Sequence, residues 1–139
     1  MVILSCSVKS NISASLVITD LGVLADKRIE RITGFDVDTG DQYRKLLHGV
    51  HKGLGLLKSY IDKNPEVDKV TLELNNQAVL NWLDRGYAKT GYEEEFEPVI
   101  ELLDDIPVKF IFSHNKMPIS RRYSKPSCLP KEKLSGLSI

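Results

Sequence analysis

Where the strand-like stretch KVTLEL gives way to the helical QAVLNWL, the connecting residues are two carboxamides, Asn75 and Asn76. An α/β enzyme often keeps a carboxylate at such a turn, because ligands gather at the carboxyl ends of strands. A carboxylate there could ligate a divalent cation or carry a proton. A carboxamide keeps the shape and loses the charge. Carboxylates do lie nearby in sequence. Asp41 adjoins Gln42, and Glu73 lies two residues before Asn75, hence on the same strand face. Asp20, Asp36 and Asp38 are further candidates for a relocated metal site, although acidic residues more often simply face water.

Other chemistry is thinly represented. His48 and His51 stand three apart on a helical stretch and could share a ligand, but no third ligand of suitable spacing accompanies them, and exposed helix positions are the simpler reading. Cys6 and Cys128 form neither a disulfide framework nor a zinc spacing, and Cys6, inside an apolar run, reads as a small core residue. No glycine-rich phosphate loop, Cys/His zinc set or nucleophile elbow is present. What remains is charge. The 139 residues carry 19 basic and 19 acidic side chains, so no global imbalance points to nucleic acid, membrane or an acidic ligand. Residues 116–139, however, hold six basic residues against Glu132 alone, and the acidic excess gathers in GYEEEFEPVIELLDD. That acidic run reads as a solvated helix face. Arg121, Arg122 and Lys125 flank Tyr123, a pattern that suits phosphates and base stacking as well as a merely solubilising segment.

The elements that must position these residues follow from periodicity. Hydrophobic content of 42% and charged content of 27% fit one folded domain with a sizeable core. VILSCSVKS and SASLVITDLG are β-rich runs, the second closed by Gly22, and KRIERITGFDV follows with Ile29, Ile32 and Phe35 as anchors; short links make an antiparallel meander. Tyr43, Leu46, Leu47, Val50, Leu54, Leu57 and Ile61 then recur at helical spacing. Gly49 and Gly53 lie beside that stripe, where close approach to a sheet would offset their poor helix propensity. Thr39-Gly40-Asp41-Gln42 fits a capping box at the helix start, and Asn76 is placed to cap QAVLNWL, which ends at Gly86. KVTLEL and VKFIFSH are the last strands. The opening MVILSCSVK is too short for a signal peptide and no apolar stretch reaches membrane-spanning length, so an intracellular, cytoplasmic protein is expected.

This order and several local strings together resemble the ribonuclease H-like family over residues 3–119. DQYRKLLHGVHKGLGLL is similar to the family's first helix, E-Y-R-A-L-x-x-G-L-x-x-A-L, with Gln42 on the glutamate. LELNNQAVLNWL is similar to its fourth strand and next helix, where D-S-x-x-V is usual. Asn75 falls on the aspartate, Asn76 on the serine, and Val79 fits. FSHNKMPIS is similar to H-N-x-x-A-D, with His114 and Asn115 retained and Ile119 on the aspartate. LSCSVKSN, laid over D-G-x-x-x-x-N, puts Ser5 on the first aspartate and Asn11 on the asparagine. The resemblance implies an α/β fold in residues 1–115, a mixed five-stranded sheet in the order β-β-β-α-β-α-α-β flanked by helices, followed by a basic, partly disordered segment, 116–139.

Active members of that family use four carboxylates to hold two magnesium ions that activate water and stabilise the leaving oxygen of an RNA strand. Magnesium dehydrates reluctantly and needs anionic oxygens, whereas Ser5, Gln42, Asn75 and Ile119 are all uncharged. The resemblance therefore implies a degenerate member with no catalytic residue, metal or cofactor. The first expectation is a non-catalytic module binding RNA or an RNA–DNA hybrid through Asn11, His114, Asn115, Lys116, Arg121, Arg122, Tyr123 and Lys125. The alternatives are a protein-interaction module, self-association included, and a divergent nuclease whose magnesium sits on Asp41, Glu73 or their neighbours.

Overall fold

The computed structural model describes residues 2–9, 12–19, 22–23 and 41–117. Asn11, Ile119, Arg121, Arg122, Tyr123 and Lys125 lie outside the described residues, as do Asp20, Asp36, Asp38, Cys128 and the run KRIERITGFDV. The elements in chain order are β1 (Val2–Lys9), β2 (Ile12–Thr19), β3 (Gly22–Val23), α1 (Gln42–Lys63), β4 (Lys69–Leu74), α2 (Gln77–Arg85), α3 (Glu93–Asp105) and β5 (Lys109–His114). They form one five-stranded sheet in the order β3-β2-β1-β4-β5. The first three strands are antiparallel neighbours, and β4 and β5 run parallel to β1. The expected order of elements is present. One boundary differs: Gly22 begins β3, pairing with Thr19, rather than only closing β2.

Alternation decides which strand face is buried. Leu4 and Cys6 sit beside Leu72 and Leu74 in the β1–β4 register, and all four are fully buried. Helix α1 lies on that face with Leu46, Leu47, Val50, Leu54 and Leu57 turned into the core. Each such burial contributes about 1.5–3 kcal/mol. The close approach that the glycines suggested is real at Gly53. A Cβ there would stand 3.0 Å from Leu4 Cδ1 and 3.2 Å from both Cys6 Sγ and Ser15 Cβ. Gly49 contributes its carbonyl, which accepts a 2.9 Å hydrogen bond from Ser15 Oγ. Cys6 is wholly buried, and burial pushes its thiol up to about 12, with a Ser15 hydrogen bond lowering it and the Glu73 charge raising it further.

Helix α1 starts one step differently from the capping-box expectation. Asp41 is the N-cap, and its Oδ1 accepts from Tyr43 N at 2.9 Å and Arg44 N at 3.2 Å. Gln42 is thus the first helical residue, too early to reach back as the box requires; Thr39 lies outside the described residues. Helix α2 is capped as expected, with Asn76 Oδ1 accepting from Val79 N at 3.0 Å. It stops at Gly86, whose φ of 89° is the left-handed conformation that favours glycine. Helix α3 opens with Glu93, Glu94 and Glu95, favourably placed against the positive end of its dipole.

Candidate functional site

Three parallel strands end together. Lys58 of α1 pairs with Asp105, just ahead of β5, so the later turns of α1 lie near the amino end of β5 and its first turn lies towards the opposite end of the sheet. There the carboxyl ends of β1, β4 and β5 meet the start of α2, the usual place for a ligand in a sheet of this kind.

The side chains at this end form two linked sets. In the first, Ser5 lies directly across from Glu73, and Glu73 across from Ser113. Ser5 Oγ donates to Glu73 Oε1 at 2.6 Å, and Asn115 Nδ2 donates to Glu73 Oε2 at 3.1 Å. Asn115 is itself fixed, its N–H donating to the Leu74 carbonyl at 3.0 Å and its Oδ1 accepting from Met117 N at 3.0 Å. In the second set, Asn75 Nδ2 donates to the Val8 carbonyl at 3.0 Å while its Oδ1 accepts from Val8 N at 3.4 Å. Asn75 thereby satisfies a donor and an acceptor on β1 beyond the last paired residues, a task only an amide can perform. The β1–β4 register, carried one residue past Cys6↔Leu74, sets Ser7 rather than Ser5 against Asn75. Ser7 is nearly fully buried.

His114 and Lys116 are exposed. His114 stands at one end of a groove of about 450 Å³ between α2 and the edge strand β5, with Gln77, Asn81 and Asp84 on one bank and Ile111 on the other. Lys45, in the first turns of α1, is 5% exposed and pairs with no carboxylate among the described residues.

The remaining carboxylate candidate is engaged elsewhere. Asp41 Oδ2 accepts from Tyr92 Oη at 2.6 Å and from Arg44 Nη1 at 2.9 Å, besides the two helix N–H groups. Burial pushes its carboxyl up, but the bonds from Tyr92, Arg44 and Tyr43 and the Arg44 charge outweigh that and hold it below the ordinary value. Arg44 also donates to Glu95 Oε1 at 2.9 Å and to the Gly91 carbonyl at 2.8 Å, and lies 4.7 Å over the Tyr92 ring. Tyr43, Trp82 and Tyr92 pack around it, ring centroids 5.2–5.7 Å apart. This hub fastens the start of α1 to that of α3. It also corrects the reading of the acidic run as a solvated face: Glu95 is a half-buried partner of Arg44.

No protein-family model matches the sequence, and no curated protein matches it either. Solved structures do match in shape. An N-terminal RNase H domain from Mycobacterium tuberculosis, solved as a fusion with maltose-binding protein, superposes with a TM-score of 0.53 at 12% identity, over 82% of this chain and 86% of that one. RNase H1 from the halophilic archaeon Halobacterium salinarum gives 0.53 at 12% identity, over 96% and 98%. The fold is ribonuclease H-like.

Set on this ribonuclease H-like sheet, the residues do not fit a pair of magnesium ions. Glu73 is the one carboxylate joined to the cluster, and Ser5 and Asn115 hold both its oxygens. The Asn75 amide faces Val8, and Gln42 is exposed at the head of α1. Among the described residues no three His, Cys, Asp or Glu side chains come together as metal ligands; His48, half-buried rather than exposed, and His51 gain no third partner. The structure thus joins Ser5, Glu73 and Asn115, and brings Asn75 to β1. Ser7, Ser113 and Lys45 had no signal in the sequence as site residues, because only strand register and helix packing bring them to this end.

Proposed function

We propose that this chain is a pseudo-nuclease that binds nucleic acid, RNA or an RNA–DNA hybrid, without cutting it. The observation that carries the reading is the Asn75 amide closed on Val8 beside a single carboxylate held by Ser5 and Asn115. Such a site offers hydrogen-bond donors and acceptors without the anions that two dications need. Glu73 and the neighbouring amides suit ribose hydroxyls, which both donate and accept. His114 and Lys116, exposed beside them, suit the flanking phosphates. The fold of the two neighbours, both named as RNase H proteins, agrees in direction. The arrangement of Asp41 speaks against a relocated metal site, since four donors already fill its carboxylate.

Fluorescence anisotropy with labelled RNA–DNA hybrid, RNA duplex, DNA duplex and single strands tests the proposal. Hybrid or RNA should bind more tightly than DNA duplex, with affinity falling as salt rises, and His114→Ala with Lys116→Ala should weaken it. Failure of every nucleic acid to bind below tens of micromolar would remove it.

A further inference from the structure

A second concave surface lies on α3, away from the carboxyl ends of the strands. It is a groove of about 480 Å³ between the segment after α2 and the outer face of α3. Its floor is apolar, made by Phe96, Ile100 and Ala88, and Tyr87 stands over it 63% exposed. Its rim is acidic. Glu93, Glu97 and Glu101 line it at successive four-residue steps, so their carboxylates follow one side of the helix over about 12 Å. Glu93 accepts a hydrogen bond from Gly91 N, and no cation among the described residues pairs with Glu97 or Glu101. The nearest guanidinium, Arg85, lies 4.2 Å over the Tyr87 ring and donates to the Tyr87 carbonyl; it holds the ring upright and neutralises none of the three carboxylates.

We infer that this groove docks a basic amphipathic peptide segment of a partner protein. The inference is independent of the nucleic-acid site. Charge selects the occupant: three carboxylates with no cation between them repel nucleic acid and acidic lipid, and attract lysine and arginine. The apolar floor and the exposed tyrosine ask for more than charge, since a buried large side chain at the centre of a polar rim is how interfaces concentrate their affinity. The repeat of the carboxylates fits a segment whose cations recur every four residues around a leucine or isoleucine stripe, laid along α3.

The test uses the full chain and a fluorescein-labelled amphipathic lysine–leucine helix peptide, with two controls: a peptide keeping the lysines with serine for leucine, and one keeping the leucines with glutamate for lysine. The lysine–leucine peptide binds and weakens with salt, and both controls bind roughly tenfold or more weakly. Glu97→Gln with Glu101→Gln, and separately Tyr87→Ala, weaken binding by a similar factor, whereas Glu66→Gln, on a surface away from the groove, leaves it unchanged. Equal binding of the serine peptide, or equal loss with Glu66→Gln, would reduce the effect to general attraction of a polycation and overturn the inference. Circular dichroism confirms that each variant folds. A wild-type dimer in sedimentation that the double glutamine variant dissolves would also overturn it, in favour of a second copy as occupant.

Discussion

Replacing Asn75 by aspartate removes the only donor to the Val8 carbonyl among its contacts and sets a negative charge against that oxygen. A buried acceptor left unmatched costs about 1–3 kcal/mol, so Asn75→Asp should lower the urea midpoint measurably. An unchanged midpoint would show that the amide does not tie β1 to β4. Combined with Gln42→Glu, the same change restores two charges at the family's metal positions. It should raise Mn²⁺ affinity above that of the wild type, and unchanged affinity would contradict the placement of both residues. Cys6 belongs to the same scale. With its thiol pushed up to about 12, it should resist thiol reagents at pH 8 in the native protein, in a Cys128→Ser background, and react only in denaturant. Local roles were legible in sequence here: Asn76 follows a strand and precedes an apolar helical run, so a cap was readable. The partners of Asn75 and Glu73 were not, because Val8 and Ser5 lie 67 and 68 residues away and only register brings them in.

Among the elements, α1 was the most readable, since one unbroken stripe of leucines at helical spacing survives almost any context. Its two glycines near the middle make a paired test. A methyl at Gly53 meets Leu4 and Cys6 at 3.0–3.2 Å, whereas one at Gly55 meets nothing within 4 Å. Gly55→Ala should stabilise by up to about 1 kcal/mol through helix propensity. Gly53→Ala should destabilise by about 1–3 kcal/mol through overpacking, net of that gain. Thermal or urea unfolding of the two variants checks the signs, and equal signs would mean that α1 does not seat as closely on β1 and β2 as described. Glu95 shows where an element's pattern misleads. In a run of glutamates nothing distinguishes the one that turns inward, and the reason it does, Arg44, lies 51 residues earlier.

Across the whole molecule, the two ends of the chain's chemistry are held apart by the hub at Asp41. That carboxyl is held below its ordinary value, so its contribution is complete above the unfolded carboxylate range, near pH 4, and is lost as pH falls through the lowered value. Stability of the wild type should therefore drop between about pH 4 and pH 2 more steeply than that of Asp41→Asn, in urea midpoints taken across that range; parallel curves would contradict the role of the hub. The order of the elements could be read from the sequence because each boundary carries its own turn or cap, whereas the acidic groove on α3 depends on how Tyr87 and Ala88 return over the helix. The central claim, binding without cleavage at the carboxyl ends of β1, β4 and β5, is met most directly by an amide NMR titration of the full chain with an RNA–DNA hybrid in magnesium buffer. The account predicts shifts at Ser5, Ser7, Glu73, Asn75, His114 and Asn115 and an RNA strand recovered intact. Shifts confined to residues 86–101, or an RNA shortened in a magnesium-dependent manner that Glu73→Gln abolishes, would contradict it.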